Sequence, residues 1–300
     1  MRRMAAVLML ALAAQMASGQ TRVDERQRAE FETALKKATK GDLVAAVEVG
    51  RDYNRGRGVE VDPKQAVRWF RMAADRGYPL AQLSLAVAYD EGAGVARDEM
   101  EALRWYQRAA SAGQGIAQFN LGMMYLQGRG AKQSAEEAAR WFQKAAEQGV
   151  APAETNLGYL YLRGQGVTKD LALAVKWTRQ AAEKGVPEAE FNLGEMFESG
   201  DGLPADNHQA YEWYERAALH GHTVAMYRIG TLYLYGRGVV QSDVQAVGWF
   251  RKAAERNHPQ SEWELGQAYE TGRGVPRDDA EAQTWFRKAG QVMSLRPDDR

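Results

Sequence analysis

A chain of 300 residues with 39 Lys and Arg against 39 Asp and Glu, and no long run of either sign, lacks the basic excess of a nucleic-acid binder. The same balance offers no strongly cationic face to an anionic membrane surface. There is no Cys, which excludes a disulfide framework and a lipid-anchoring thiol.

In chain order, the first element is apolar. Met1-Arg2-Arg3 is positive, Met4 to Ala14 is an uncharged apolar run of 11 residues, and Ala17, Ser18 and Gly19 are small. Such a run falls short of the roughly 20 residues that span a bilayer. It predicts a secretory signal peptide over residues 1–19, cleaved near Gly19 and Gln20. The mature chain is then exported, periplasmic or secreted, with no transmembrane segment. Next, Phe31, Ala34, Leu35 and Ala38 share one helical face, so residues 20–41 predict a lone capping helix.

From residue 42 the chain repeats. The stretch YNRGRGVEVD, Tyr53 to Asp62, carries two glycines around a basic residue, a pattern shared by phosphate-binding loops and by turns between helices. Its glycine pair recurs as Gly92 and Gly94, Gly128 and Gly130, Gly164 and Gly166, Gly200 and Gly202, Gly236 and Gly238, and Gly272 and Gly274, at steps of 36 residues. Trp69, Trp105, Trp141, Trp177, Trp213, Trp249 and Trp285 keep the same step. A fixed period of this size marks a solenoid of helix pairs. No copy is followed by the Lys and Ser or Thr of a nucleotide loop, so the glycines turn the chain between two helices. The units are expected at 42–77, 78–113, 114–149, 150–185, 186–221, 222–257 and 258–290, with a polar tail over 291–300.

Each unit reads as a helix A, a loop and a helix B. The B helices begin at Asp62, Asp98, Ser134, Asp170, Asp206, Ser242 and Asp278, all good N-caps. Three residues on, Glu or Gln stands in six of the seven units, with Leu173 the exception, which predicts capping boxes. Small columns, Ala66 through Ala282 and Gly50 through Gly266, let helices approach closely, and the Trp and Tyr columns fill the space between. Truncating Trp141, placed in that filling, is expected to be costly.

These columns resemble a known family. The run LGYLYLRGQGVTKDLALAVKWTRQAAEKG, Leu157 to Gly185, is similar to the Sel-one-like repeat (SLR), a relative of the tetratricopeptide repeat with a longer interhelical loop. The resemblance covers residues 42–290. It implies an all-α fold, a right-handed α-solenoid of seven 36-residue helix-turn-helix repeats, with A helices lining a concave face. It also implies a non-enzymatic scaffold or adaptor, often of the bacterial envelope. A branch with one cysteine pair per repeat is linked to β-lactam handling, and the absence of Cys here removes its support.

Chemistry-bearing patterns are few. His220 and His222 flank a helix stop without an evident third metal ligand, and no GxSxG or HExxH occurs. No catalytic residue, metal or cofactor is expected, and a β-lactamase-like hydrolase is a distant third reading. Binding is expected on the A helices. One column reads Glu48, Ser84, Asn120, Asn156, Asn192, Arg228 and Glu264, where three successive amides suit the backbone of an extended peptide. Local hydrogen bonding is the equal alternative for them. The next column reads Val47, Leu83, Phe119, Thr155, Phe191, Tyr227 and Trp263. Phe119 and Phe191 are expected to seal neighbouring helices. Tyr227 and Trp263, beside Arg228, Tyr235 and Arg237, form a candidate anchor patch. A protein or extended peptide is thus the leading partner, with polysaccharide or peptidoglycan as the alternative and no nucleic acid.

Overall fold

The computed structural model describes residues 25–294, with side chains through residue 290. The expected signal peptide at 1–19 and the end of the tail at 295–300 lie outside the described residues. Among the described residues every regular element is an α-helix. After α1 (residues 25–39) come α2 (Leu43–Arg55), α3 (Pro63–Asp75), α4 (Pro79–Glu91), α5 (Glu99–Ser111), α6 (Gly115–Gln127), α7 (Ala135–Glu147) and α8 (Ala151–Arg163). Then follow α9 (Leu171–Glu183), α10 (Pro187–Ser199), α11 (Asn207–Leu219), α12 (Thr223–Tyr235), α13 (Asp243–Ala254), α14 (Pro259–Thr271) and α15 (Asp279–Ser294). Even-numbered helices are the A helices and odd-numbered ones from α3 the B helices. The chain divides into two compact units between Ala145 and Ala146. In the first, α1 buries Phe31, Ala34 and Ala38, with the Phe31 ring edge-on to Tyr53 at 5.3 Å. At the other end of the chain α15 continues to Ser294, past the expected start of the tail, because Met293 stands where earlier repeats have a turn-forming Gly or Asn.

The B-helix caps form on one side only. All seven cap side chains accept the backbone N–H three residues on, from Gln65 to Asp62 at 3.0 Å through Glu281 to Asp278 at 3.0 Å. The reciprocal half of the expected capping box is absent among the described residues. Each cap N–H instead donates to the carbonyl of the aromatic column of helix A, as Asp62 does to Tyr53 at 2.9 Å and Asp206 to Phe197 at 2.8 Å. The Glu and Gln side chains turn elsewhere, Glu101 to Arg104 at 2.6 Å and Glu137 to Arg140 at 2.6 Å. Loop closure thus takes the proton that the box would have used. At the far end of the B helices glycine adopts positive φ, and Asn257 (φ 60°) does so in the sixth repeat, a conformation Asn tolerates better than most residues.

Packing within a helix pair sets glycine against a ring. A Cβ on Gly122 would lie 2.6 Å from Phe142, one on Gly194 2.6 Å from Tyr214, and one on Gly230 2.5 Å from Phe250. The ring column directly after the Trp column (Phe70, Tyr106, Phe142, Tyr214, Phe250) is therefore the centre of the core, at 2 % exposure or less. The Trp column lies further out. Trp105, Trp177, Trp213 and Trp285 are buried, Trp69, Trp141 and Trp249 only half-buried, and cationic side chains cover the faces of several rings, Lys144 over Trp141 at 4.1 Å and Arg216 over Trp213 at 4.5 Å.

A polar column also enters the core at the start of the A helices. Gln82 and Gln118 donate to the carbonyls of Ala74 and Ala110, at 3.4 and 3.1 Å. Glu154 and Glu190 take a cationic or imidazole partner instead, Lys184 at 2.6 Å and His220 at 2.8 Å. Glu262 is 1 % exposed, and its Oε2 has no hydrogen-bond partner among the described residues. Val292 stands where Lys184 and His220 stand in their repeats. Burial pushes the Glu262 carboxyl up, with the Lys288 charge opposing. A raised carboxyl pKa means that the folded chain binds the proton more tightly than the unfolded one. Stability is therefore full below the ordinary Glu range and falls as pH rises through the folded value. Glu262→Gln supplies a donor for Ala254 in the manner of Gln118 and removes the ionisation. Chemical denaturation at pH 7 should show a gain of about 1–3 kcal/mol that shrinks toward pH 4.

Candidate functional site

The aromatic column breaks once between Tyr106 and Phe286, at Thr178. Its A-helix neighbour is also small in that repeat, Thr155. In four of the other six repeats the equivalent positions form ring pairs, Phe119 with Phe142 at 5.9 Å, Phe191 with Tyr214 at 5.6 Å, Tyr227 with Phe250 at 5.8 Å and Trp263 with Phe286 at 4.7 Å, while Val47 and Leu83 stand there in the first two. Where the ring is missing, a cavity of about 490 Å³ opens within the second unit. Thr178, Leu162 and Met196 supply apolar wall, and α8, α10 and α12 contribute Tyr159, Asn192 and Arg228. Its volume falls in the roughly 300–1,000 Å³ range of ligand sites.

The charges around the cavity are mostly committed. Arg228 donates to Glu195 at 2.8 Å. Glu198 accepts the Tyr214 hydroxyl at 2.8 Å and pairs with Arg237 at 3.1 Å. Burial, followed by the Glu198 charge, raises the Tyr214 phenol well above its ordinary range, so it stays a proton donor. Ser199 donates to Asp201 at 2.9 Å. Among the described residues, no side-chain hydrogen bond or ion pair engages Asn192 or Arg163, and both line the cavity.

The residues named from the sequence meet different fates. Asn156 spends its amide N–H on the Pro152 carbonyl of its own helix, at 2.8 Å. Asn120, in the first unit, is hydrogen-bonded to the Tyr106 hydroxyl. Asn192 lines the cavity with Arg228, and no side-chain hydrogen bond engages it among the described residues. Tyr227 is half-buried between Phe250 and His258, with ring centroids at 5.8 and 5.0 Å. Trp263 rests on Phe286 and remains 47 % exposed. Phe191 is buried, stacked on His222 at 4.5 Å. His220 and His222 face different carboxylates, Glu190 at 2.8 Å and Glu188 at 3.0 Å. The described residues hold no cluster of three or more metal-ligating side chains. Thr178 and Arg163 were not legible as site residues from the columns read first; the signal was a missing aromatic in the column one residue beyond Trp.

Helix pairs repeated with this loop and these caps define an all-α repeat solenoid of the SLR type. A family model, the Sel1 repeat, matches residues 43–78, 79–114, 115–150, 151–186, 187–222, 223–258 and 259–291, one residue out of step with the units read from the sequence. The chain belongs to the Sel1 repeat family. It is similar to a protective antigen of uropathogenic Escherichia coli displaying an SLR fold (TM-score 0.81, 29% identity, 94% of this chain and 64% of that one). It therefore spans under two thirds of that antigen's length. It is also similar to a Sel1 repeat protein from Oxalobacter formigenes (TM-score 0.73, 32% identity, 95% of this chain and 86% of that one). Comparison with curated proteins yields no match. Sel1 repeats generally mediate protein interactions and are typically non-enzymatic. No helix among the described residues is long and apolar enough to cross a membrane.

Proposed function

We propose that this protein is a scaffold of the bacterial cell envelope that grips an extended polypeptide on the A helices of its second unit. The observation that carries the reading is the cavity above Thr178, open beside the Asn192 amide and the Arg163 guanidinium, which no side chain engages among the described residues. An amide presents a donor and an acceptor together, which matches a peptide bond whatever side chain it carries. The envelope assignment draws on the apolar run at Met4 to Ala14. A photo-crosslinking residue at Asn192 should capture a polypeptide from an envelope extract, whereas one at Gln180, exposed on α9, should not. Equal capture from both sites, or none from Asn192, would overturn the groove as the docking face. The half-exposed ring of Trp263 favours a second reading, sugar stacking; retention on purified peptidoglycan that is lost in Trp263→Ala would establish that one instead.

A further inference from the structure

We infer that the cavity above Thr178 takes an aromatic side chain of the bound polypeptide, with a single acidic residue next to it. This rests on the groove being a peptide site and names what that site selects.

The repeat itself gives the shape. The Tyr214 hydroxyl reaches Glu198, 16 residues earlier, and Tyr106 reaches Asn120, 14 residues later. Applied to position 178, those offsets point to Leu162 and Asn192, and both line the cavity. A ring on α9 would therefore fill this space, as rings do in the neighbouring pairs. Gly158 still stands opposite without a Cβ, and the Thr178 Oγ1 takes the place against it that a ring edge takes against Gly122 and Gly194. Thr178 fills the inner end of the seat, and the outer end, lined by Leu162 and Asn192, lacks the ring. An aromatic side chain from outside fits the vacancy, buries a large apolar area with few rotatable bonds, and leaves Asn192 for its backbone.

Charge supplies the second element. Glu195 and Glu198 are answered by Arg228 and Arg237. Arg163 has no carboxylate partner among the described residues, and a guanidinium fork suits one. Asp201, which accepts from Ser199, makes the mouth mixed in sign and so matches one acidic residue rather than an acidic run.

The test is a random peptide library displayed against the full chain, followed by affinities of the selected peptides for Thr178→Phe and Arg163→Ala. The wild type should enrich Phe, Tyr or Trp at one position with Asp or Glu adjacent. Thr178→Phe returns the repeat's own ring, so it should melt no lower than the wild type and bind selected peptides at least tenfold more weakly. Arg163→Ala should lose the acidic preference and keep the aromatic one. Enrichment of peptides without a fixed aromatic position, or undiminished binding by Thr178→Phe, overturns the inference and leaves the peptide groove standing. Enrichment of nothing overturns the groove as well. Should Thr178→Phe melt well below the wild type, the peptide-side exchange of the ring for Ala decides: a tenfold loss supports the inference and no loss ends it.

Discussion

Phe142→Ala should destabilise the first unit by about 3–5 kcal/mol, and by clearly more than Trp141→Ala. Phe142 has no exposed surface, lies against Gly122 and tilts on Phe119 at 5.9 Å. Truncation leaves a cavity that the glycine, without a side chain to move, cannot close. Trp141 is larger, yet it is half-buried, with Lys144 over its ring. Part of the volume lost there is refilled by water and by the flexible lysine stem. Urea unfolding of both variants measures the order. Equal losses would place the Trp column as deep in the core as the ring column beside it. Because each repeat touches only its neighbours, the damage should appear as local fraying of adjacent repeats.

Gly238→Ala should be similarly severe at an exposed loop position, at about 2–5 kcal/mol. Gly238 has φ 71°, which an L side chain rarely adopts. An added Cβ would stand 2.3 Å from the Asn207 carbonyl carbon and 2.4 Å from its oxygen, at the start of the preceding B helix. Backbone cannot swing aside as a side chain can, so the two repeats must separate. Gly248 is the control. A Cβ there meets nothing within 4 Å, and Gly248→Ala should gain about 1 kcal/mol from helix propensity alone. Thermal melting of the pair checks both signs, and a tolerated Gly238→Ala would show that the loop glycines serve the turn alone.

The features legible in the sequence are those whose causes lie close together along the chain. The period, the helix starts and the helix stops were readable because a cap bonds an N–H three residues on and a glycine turns its own backbone. The features that were not legible depend on atoms brought from another helix. The second half of the capping box fails because a carbonyl of the previous helix, Tyr53 for Asp62, reaches the cap N–H first. The three asparagines look equivalent in a column, and folding separates them, since Asn156 finds Pro152, Asn120 finds Tyr106, and Asn192 lines the cavity beside Thr178. Thr178 is visible as a break in a column, but a missing ring becomes a binding cavity only if no neighbour collapses into it. That depends on Leu162 and Asn192 being held apart by two different helices, α8 and α10. Glu262 follows the same rule, because the burial of its Oε2 without a hydrogen bond among the described residues arises only once the chain has folded around it. Local bonds write the repeat, and the exceptions that give this chain a site arise where side chains distant in sequence compete for the same space.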